Sequence, residues 1–68
     1  MAAVRLFPLD FVQSELSKRR CTYVKEYGTA ALWKTQRNIY FTVPQEGPDK
    51  RTDEYTLTRL LAEIEQYL

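Results

Sequence analysis

The run Cys21-Thr22-Tyr23-Val24-Lys25-Glu26-Tyr27-Gly28-Thr29-Ala30-Ala31-Leu32-Trp33-Lys34 decides the fold. Ahead of it the apolar residues recur at helical spacing, and from Cys21 onward the period drops to two. Cys21, Tyr23, Lys25 and Tyr27 alternate with Thr22, Val24 and Glu26 in a β-branched and aromatic stretch that reads as a strand. Gly28 breaks it, and a second short strand is predicted over about Thr29–Lys34. Thr35-Gln36-Arg37-Asn38 is polar and supplies a turn. Asn38–Val43 is the clearest strand, with Ile39, Phe41 and Val43 on one face and Tyr40 and Thr42 on the other, and Pro44 ends it. Three short strands with tight connections make an antiparallel meander.

Helices flank the meander. On its N-terminal side, residues from roughly Phe11 to Arg19 read as a helix behind Pro8, with Asp10 as N-cap and Gln13 three residues later. Phe11, Val12 and Leu16 form a narrow apolar stripe, and Lys18, Arg19 and Arg20 stand where cations suit the negative end of the helix. On the C-terminal side, Gln45–Arg51 reads as an exposed loop around Gly47 and Pro48. A helix capped by Thr52 or Asp53 follows, its core stripe Leu57, Leu60, Leu61, Ile64 and Leu68. Arg59 and Glu63 pair across one turn of its outer face. The expected fold class is therefore α+β: an α-β-β-β-α two-layer sandwich, a three-stranded antiparallel sheet with two helices on one face, in a single domain over residues 1–68. The other sheet face stays open.

Composition narrows the chemistry. The chain has 68 residues, 44% hydrophobic and 28% charged, with only two Gly and three Pro, which is the balance of a small globular domain. One cysteine, Cys21, rules out an intramolecular disulfide, and its neighbours Arg19 and Arg20 do not make it more than a small packing residue. Histidine is absent, so imidazole acid–base catalysis, His-activated nucleophiles and His-ligated metals are excluded. No phosphate-cradling Gly-rich loop or acidic metal cluster is present, and no cofactor is expected. No apolar run is long enough to cross a bilayer, and Met1–Leu9 carries Arg5 and Pro8 without a signal-peptide core, so a cytoplasmic protein with no membrane partner is expected. Net charge is +1 but uneven: residues 1–51 hold nine Lys/Arg against five Asp/Glu (+4), and residues 52–68 one against four (−3).

Three stretches resemble the small HicA-type toxins of bacterial toxin–antitoxin pairs, whose element order is also that of double-stranded-RNA-binding domains. Gly28-Thr29-Ala30 stands at the first strand turn, where HicA-like proteins show Gly-Ser-His. Phe41-Thr42-Val43-Pro44 is similar to their third strand and its Val-Pro end. Asp49-Lys50-Arg51 followed by Tyr55-Thr56-Leu57-Thr58-Arg59-Leu60-Leu61 resembles their Lys-containing loop and Gly-Thr-Leu-Arg-x-Ile-Leu helix, with Tyr55 where the family favours Gly. The resemblance implies an mRNA interferase fold that binds RNA and a cognate antitoxin. It also implies that Ala30 occupies the position of the catalytic histidine, so cleavage by that route is lost. Ala30 is either natural or an engineered replacement of histidine, and the sequence leaves both open.

Candidate RNA contacts are Lys50 and Arg51, just ahead of the last helix, where free N–H groups favour phosphate, together with Lys25 and Lys34. Tyr23, Tyr27, Tyr40 and Trp33 are candidates for an interface on the open sheet face, although Trp33 beside Ala31 also fits the core. A second reading keeps the same face but makes the chain a non-enzymatic protein-interaction or regulatory module, phage-encoded or otherwise, including a homodimer. Salt separates the two, since phosphate contacts weaken steeply with salt and aromatic interfaces do not.

Overall fold

The computed structural model describes residues 5–67. Its elements in chain order are β1 (Leu6–Phe7), α1 (Leu9–Lys18), β2 (Thr22–Tyr27), β3 (Ala30–Lys34), β4 (Tyr40–Pro44), β5 (Thr52–Asp53) and α2 (Glu54–Glu65). Strands β2, β3 and β4 form a three-stranded antiparallel sheet in that order, the meander expected from their tight connections. Helices α1 and α2 contribute Val12, Leu16, Leu57 and Ile64 to a core shared with Ala31, Trp33 and Val43 of the sheet and with Cys21, which precedes β2. Both helices thus cover the sheet face that carries Ala31, Trp33 and Val43. The fold is α+β.

The hairpin between β2 and β3 closes on the pair Tyr27–Ala30 around a two-residue loop. Gly28 takes the first loop position at φ 63°, a left-handed conformation that glycine adopts without a Cβ penalty. The pairing then slips: Tyr23 faces Trp33 and Lys25 faces Leu32, leaving Val24 as an extra residue in the strand. This bulge overturns the strict alternation expected from the sequence. Beyond it the phase inverts, so Tyr23 and Glu26 fall on the helix-covered face while Lys25 and Tyr27 fall on the open one.

Further differences from the sequence reading have local causes. Helix α1 begins at Leu9 with Pro8 as its N-cap, so Asp10 lies in the first turn and no side chain caps the end. The Val12 amide already donates to the Pro8 carbonyl at 3.2 Å, which starts the helical ladder ahead of Asp10. Its C-terminus is a Schellman turn: Cys21 N–H donates to Leu16 O and Arg20 N–H to Ser17 O, with Arg20 at φ 62°. Cys21 is consequently buried under that turn rather than in the strand. Ile39 lies outside β4 and is 39% exposed, because the turn at Thr35–Asn38 runs on into it: Thr35 Oγ1 accepts from the amides of Arg37 and Ile39. The β1–β5 pair, Leu6 with Asp53 and Phe7 with Thr52, has no counterpart in the sequence reading. Asp53 caps α2 as expected, accepting from Thr56 N–H at 3.0 Å. Of the α2 stripe, Leu57 and Ile64 are buried and Leu60 and Leu61 are partly buried, while Leu68 lies outside the described residues.

Candidate nucleic-acid interface

Register sorts the candidate residues onto two faces. Because Ala31 and Trp33 point into the core, their neighbours Ala30, Leu32 and Lys34 point outward. Three cross-strand rows follow on the open face: Thr22–Lys34–Tyr40, Lys25–Leu32–Thr42 and Tyr27–Ala30–Pro44. Lys25 and Lys34 occupy adjacent rows, and Tyr27 and Tyr40, 60% and 58% exposed, stand at opposite ends. No carboxylate belongs to these rows. Among the described residues neither lysine has a carboxylate within ion-pair distance.

Trp33 and Tyr23 do not join that face. Trp33 is 5% exposed and packs edge-on against Tyr23, ring centroids 5.7 Å apart, on the helix side of the sheet. The aromatic set expected on one open face is therefore divided, with Tyr27 and Tyr40 outside and Tyr23 and Trp33 inside. Sterics explain Trp33: its β3 position alternates with Leu32 and Lys34 and cannot turn outward without inverting the strand.

Lys50 and Arg51 are also placed differently from a free phosphate clamp. Gln45–Arg51 folds back on itself, Glu46 and Arg51 exchanging backbone hydrogen bonds at 2.7 and 2.9 Å, with Lys50 at φ 54°. Lys50 Nζ reaches Glu26 Oε1 at 3.1 Å, and Arg51 lies 3.7 Å from Asp49. Glu26 accepts a second hydrogen bond from Tyr23 Oη at 2.8 Å. The Tyr23 hydroxyl and then Lys50 hold the Glu26 carboxyl below its ordinary pKa, and Glu26 in turn holds the Tyr23 phenol above its own. The amide of Thr56, which would greet an anion at the α2 N-terminus, is taken by Asp53, and the Thr56 hydrogen bonds depress the Asp53 pKa. This end of the molecule supplies its own anions.

The resemblance to HicA-type toxins has no support from known relatives. No family model, curated protein or solved structure matches the chain.

Other chemistry is limited. Burial raises the Cys21 thiol pKa despite nearby Arg19, so Cys21 is no activated nucleophile. Arg19 is instead a tie between helices, bonding Glu15 and, at 3.3 Å, Glu65 near the end of α2. Among the described residues no group of three His, Cys, Asp or Glu side chains is arranged to hold a metal ion, and no helix is long and apolar enough to cross a membrane. Sequence reasoning missed the Tyr23–Glu26–Lys50 cluster. Its origin is the bulge at Val24, and no local residue type announces a bulge there.

Proposed function

We propose that the chain is a non-catalytic, HicA-like RNA-binding module that meets single-stranded RNA on the open face of its sheet. One observation carries the reading: that face holds Lys25, Lys34, Tyr27 and Tyr40 and no acid, and Ala30 lies between Tyr27 and Pro44 on the same surface. Lysines there attract the phosphate backbone, while exposed tyrosines offer rings on which unpaired bases stack. Leaving aside the two-residue strands β1 and β5, the order α1-β2-β3-β4-α2 is the one that the resemblance implies. A histidine at position 30 would sit among these groups, and alanine there leaves binding without an acid–base residue. A cognate antitoxin is the protein partner that belongs to this reading.

Fluorescence anisotropy with a labelled oligo(U) tests it. Lys25→Gln combined with Lys34→Gln should weaken binding and flatten the slope of log K against log salt by about 1.4, at roughly 0.7 per phosphate contact on a single strand. Lys50→Gln with Arg51→Gln should leave the slope nearly unchanged, since both cations already face carboxylates. The opposite ranking would move the RNA site to the α2 end. Salt-independent binding, or none, would favour the protein-interaction module.

A further inference from the structure

The margin of the sheet at β4 carries an opening that this reading does not use. Thr42 and Pro44 project from the open face, yet they line one cavity of about 280 Å³ with Tyr55, Arg59, Leu60 and Glu63 of α2. Helix α2 therefore stands off beside the edge of β4, not wholly beneath the sheet. A second cavity of about 210 Å³ continues along the same boundary between Ile39, Phe41, Ile64 and Tyr67, and it shares Leu60 and Glu63 with the first. Together they form a groove running the length of β4.

The backbone lining this groove has unspent hydrogen-bonding capacity. Antiparallel pairing makes alternate residues of β4 bond to β3, and the parity is fixed from both ends. Pro44 has no N–H to give the ladder, and its carbonyl accepts from Thr52 Oγ1 at 3.0 Å, outside the sheet. At the other end the Ile39 carbonyl accepts from Thr35 N–H at 2.9 Å. Residues 39, 41 and 43 thus serve the β3 side, and Tyr40 and Thr42 direct N–H and C=O toward the groove. Among the described residues those four groups have no hydrogen-bond partner. Unpaired edge groups beside a helix are what a strand-addition site requires.

We propose that this groove binds an extended, uncharged peptide segment of a protein partner, which adds as a fourth strand to β4 and seats an aliphatic side chain between Phe41 and Ile64. The apolar end of the groove selects the aliphatic residue. Charge gives an ionic strand nothing to pair with, because Arg59 and Glu63, one turn apart on the α2 wall of the groove, pair with each other at 3.7 Å. A second copy pairing β4 to β4 is the competing occupant: a concentration-dependent dimer in sedimentation, with the Tyr40 and Thr42 amides protected in the absence of peptide, would overturn the proposal.

The test is selection of a random octapeptide phage library on the immobilised protein, followed by NMR titration of the recovered peptide. Expected are peptides with alternating aliphatic positions, and protection of the Tyr40 and Thr42 amides from hydrogen exchange in the complex. N-methylating the peptide positions that face β4 should weaken binding roughly tenfold, and so should Leu60→Gln. Should Leu60→Gln fail to fold, Tyr67→Lys probes the same wall from an exposed position. Lys25→Gln with Lys34→Gln should leave peptide affinity unchanged, which separates this site from the RNA face. The proposal is overturned if no peptide is enriched over an unrelated immobilised protein, or if the peptide perturbs β2 instead. It also fails if oligo(U), and not peptide, protects the Tyr40 and Thr42 amides.

Discussion

Glu26 is the residue at which reading the sequence and reading the structure part company. Strict alternation puts it on the side of Thr22 and Val24, away from Tyr23. The bulge at Val24 instead brings it under the Tyr23 hydroxyl, and Lys50 arrives from a loop 24 positions along the chain. Neither event is written locally: a bulge depends on how two strands share their twist, and the loop contact depends on where β5 anchors the chain. Trp33, by contrast, takes the core position that its spacing to Ala31 allows, one of the two places the sequence leaves open to it. The Glu26 cluster carries a pH prediction. Its folded-state pKa lies below the ordinary 4.5, and that of Asp53 below 3.8. A depressed carboxylate stabilises the fold fully above its unfolded value and loses that contribution as pH falls through the folded value. Thermal stability should therefore be flat near neutral pH and fall below about pH 4.5, the ordinary value for Glu26. Glu26→Gln should make that acid-side decline shallower in a series of melts. An unaltered decline would show that the cluster contributes nothing to folding.

At the level of elements, α2 was read best and β1–β5 not at all. The apolar stripe and the Asp53 cap are periodic, local signals, whereas Leu6–Phe7 and Thr52–Asp53 are two-residue strands that pair only because the fold brings them together. Burial also ranks the stripe. Leu57 and Ile64 are 2% and 3% exposed, while Leu60 borders the groove. Leu57→Ala or Ile64→Ala should cost about 2–5 kcal/mol and largely unfold so small a domain. Leu60→Ala should cost less. A denaturant titration in which Leu60→Ala is the most damaging of the three would show that α2 is rotated relative to the sheet. The end of α1 supports a prediction of opposite sign. Arg20 holds a left-handed φ of 62° at the position where Schellman turns favour glycine. Among the described residues its side chain makes no hydrogen bond that glycine would remove. Arg20→Gly should raise stability by about 0.5–1 kcal/mol, because relief of the left-handed strain outweighs the added freedom of the unfolded chain. Arg20→Val, branched at Cβ, should lower it. Equal melting temperatures for all three chains would mean that the turn relaxes to another conformation.

For the molecule as a whole, the sheet divides the chemistry: aromatic and apolar groups packed beneath helices on one side, lysines and tyrosines on the other. Ala30 belongs to the outer side, half-buried between Tyr27 and Pro44 at the start of β3. That location makes Ala30→His informative about the whole surface. An imidazole titrating near pH ~6.5 can take a proton from a ribose 2′-hydroxyl at neutral pH, and nothing else on this face can. The substitution should fold normally, since the position faces outward and lies next to a turn already shaped by Gly28. Under the RNA-binding reading the parent leaves cellular mRNA and growth intact when induced, and Ala30→His causes mRNA decay and growth arrest. The rate should fall when the imidazole is protonated below about pH 6. Combining Ala30→His with Lys25→Gln and Lys34→Gln should abolish the decay, because the RNA is no longer held against the new histidine. A toxic parent would mean that cleavage rests on other residues. A folded Ala30→His that still binds oligo(U) but leaves mRNA intact would mean that the face holds RNA in a pose no single imidazole can cut, and would confine the likeness to HicA-type toxins to the fold.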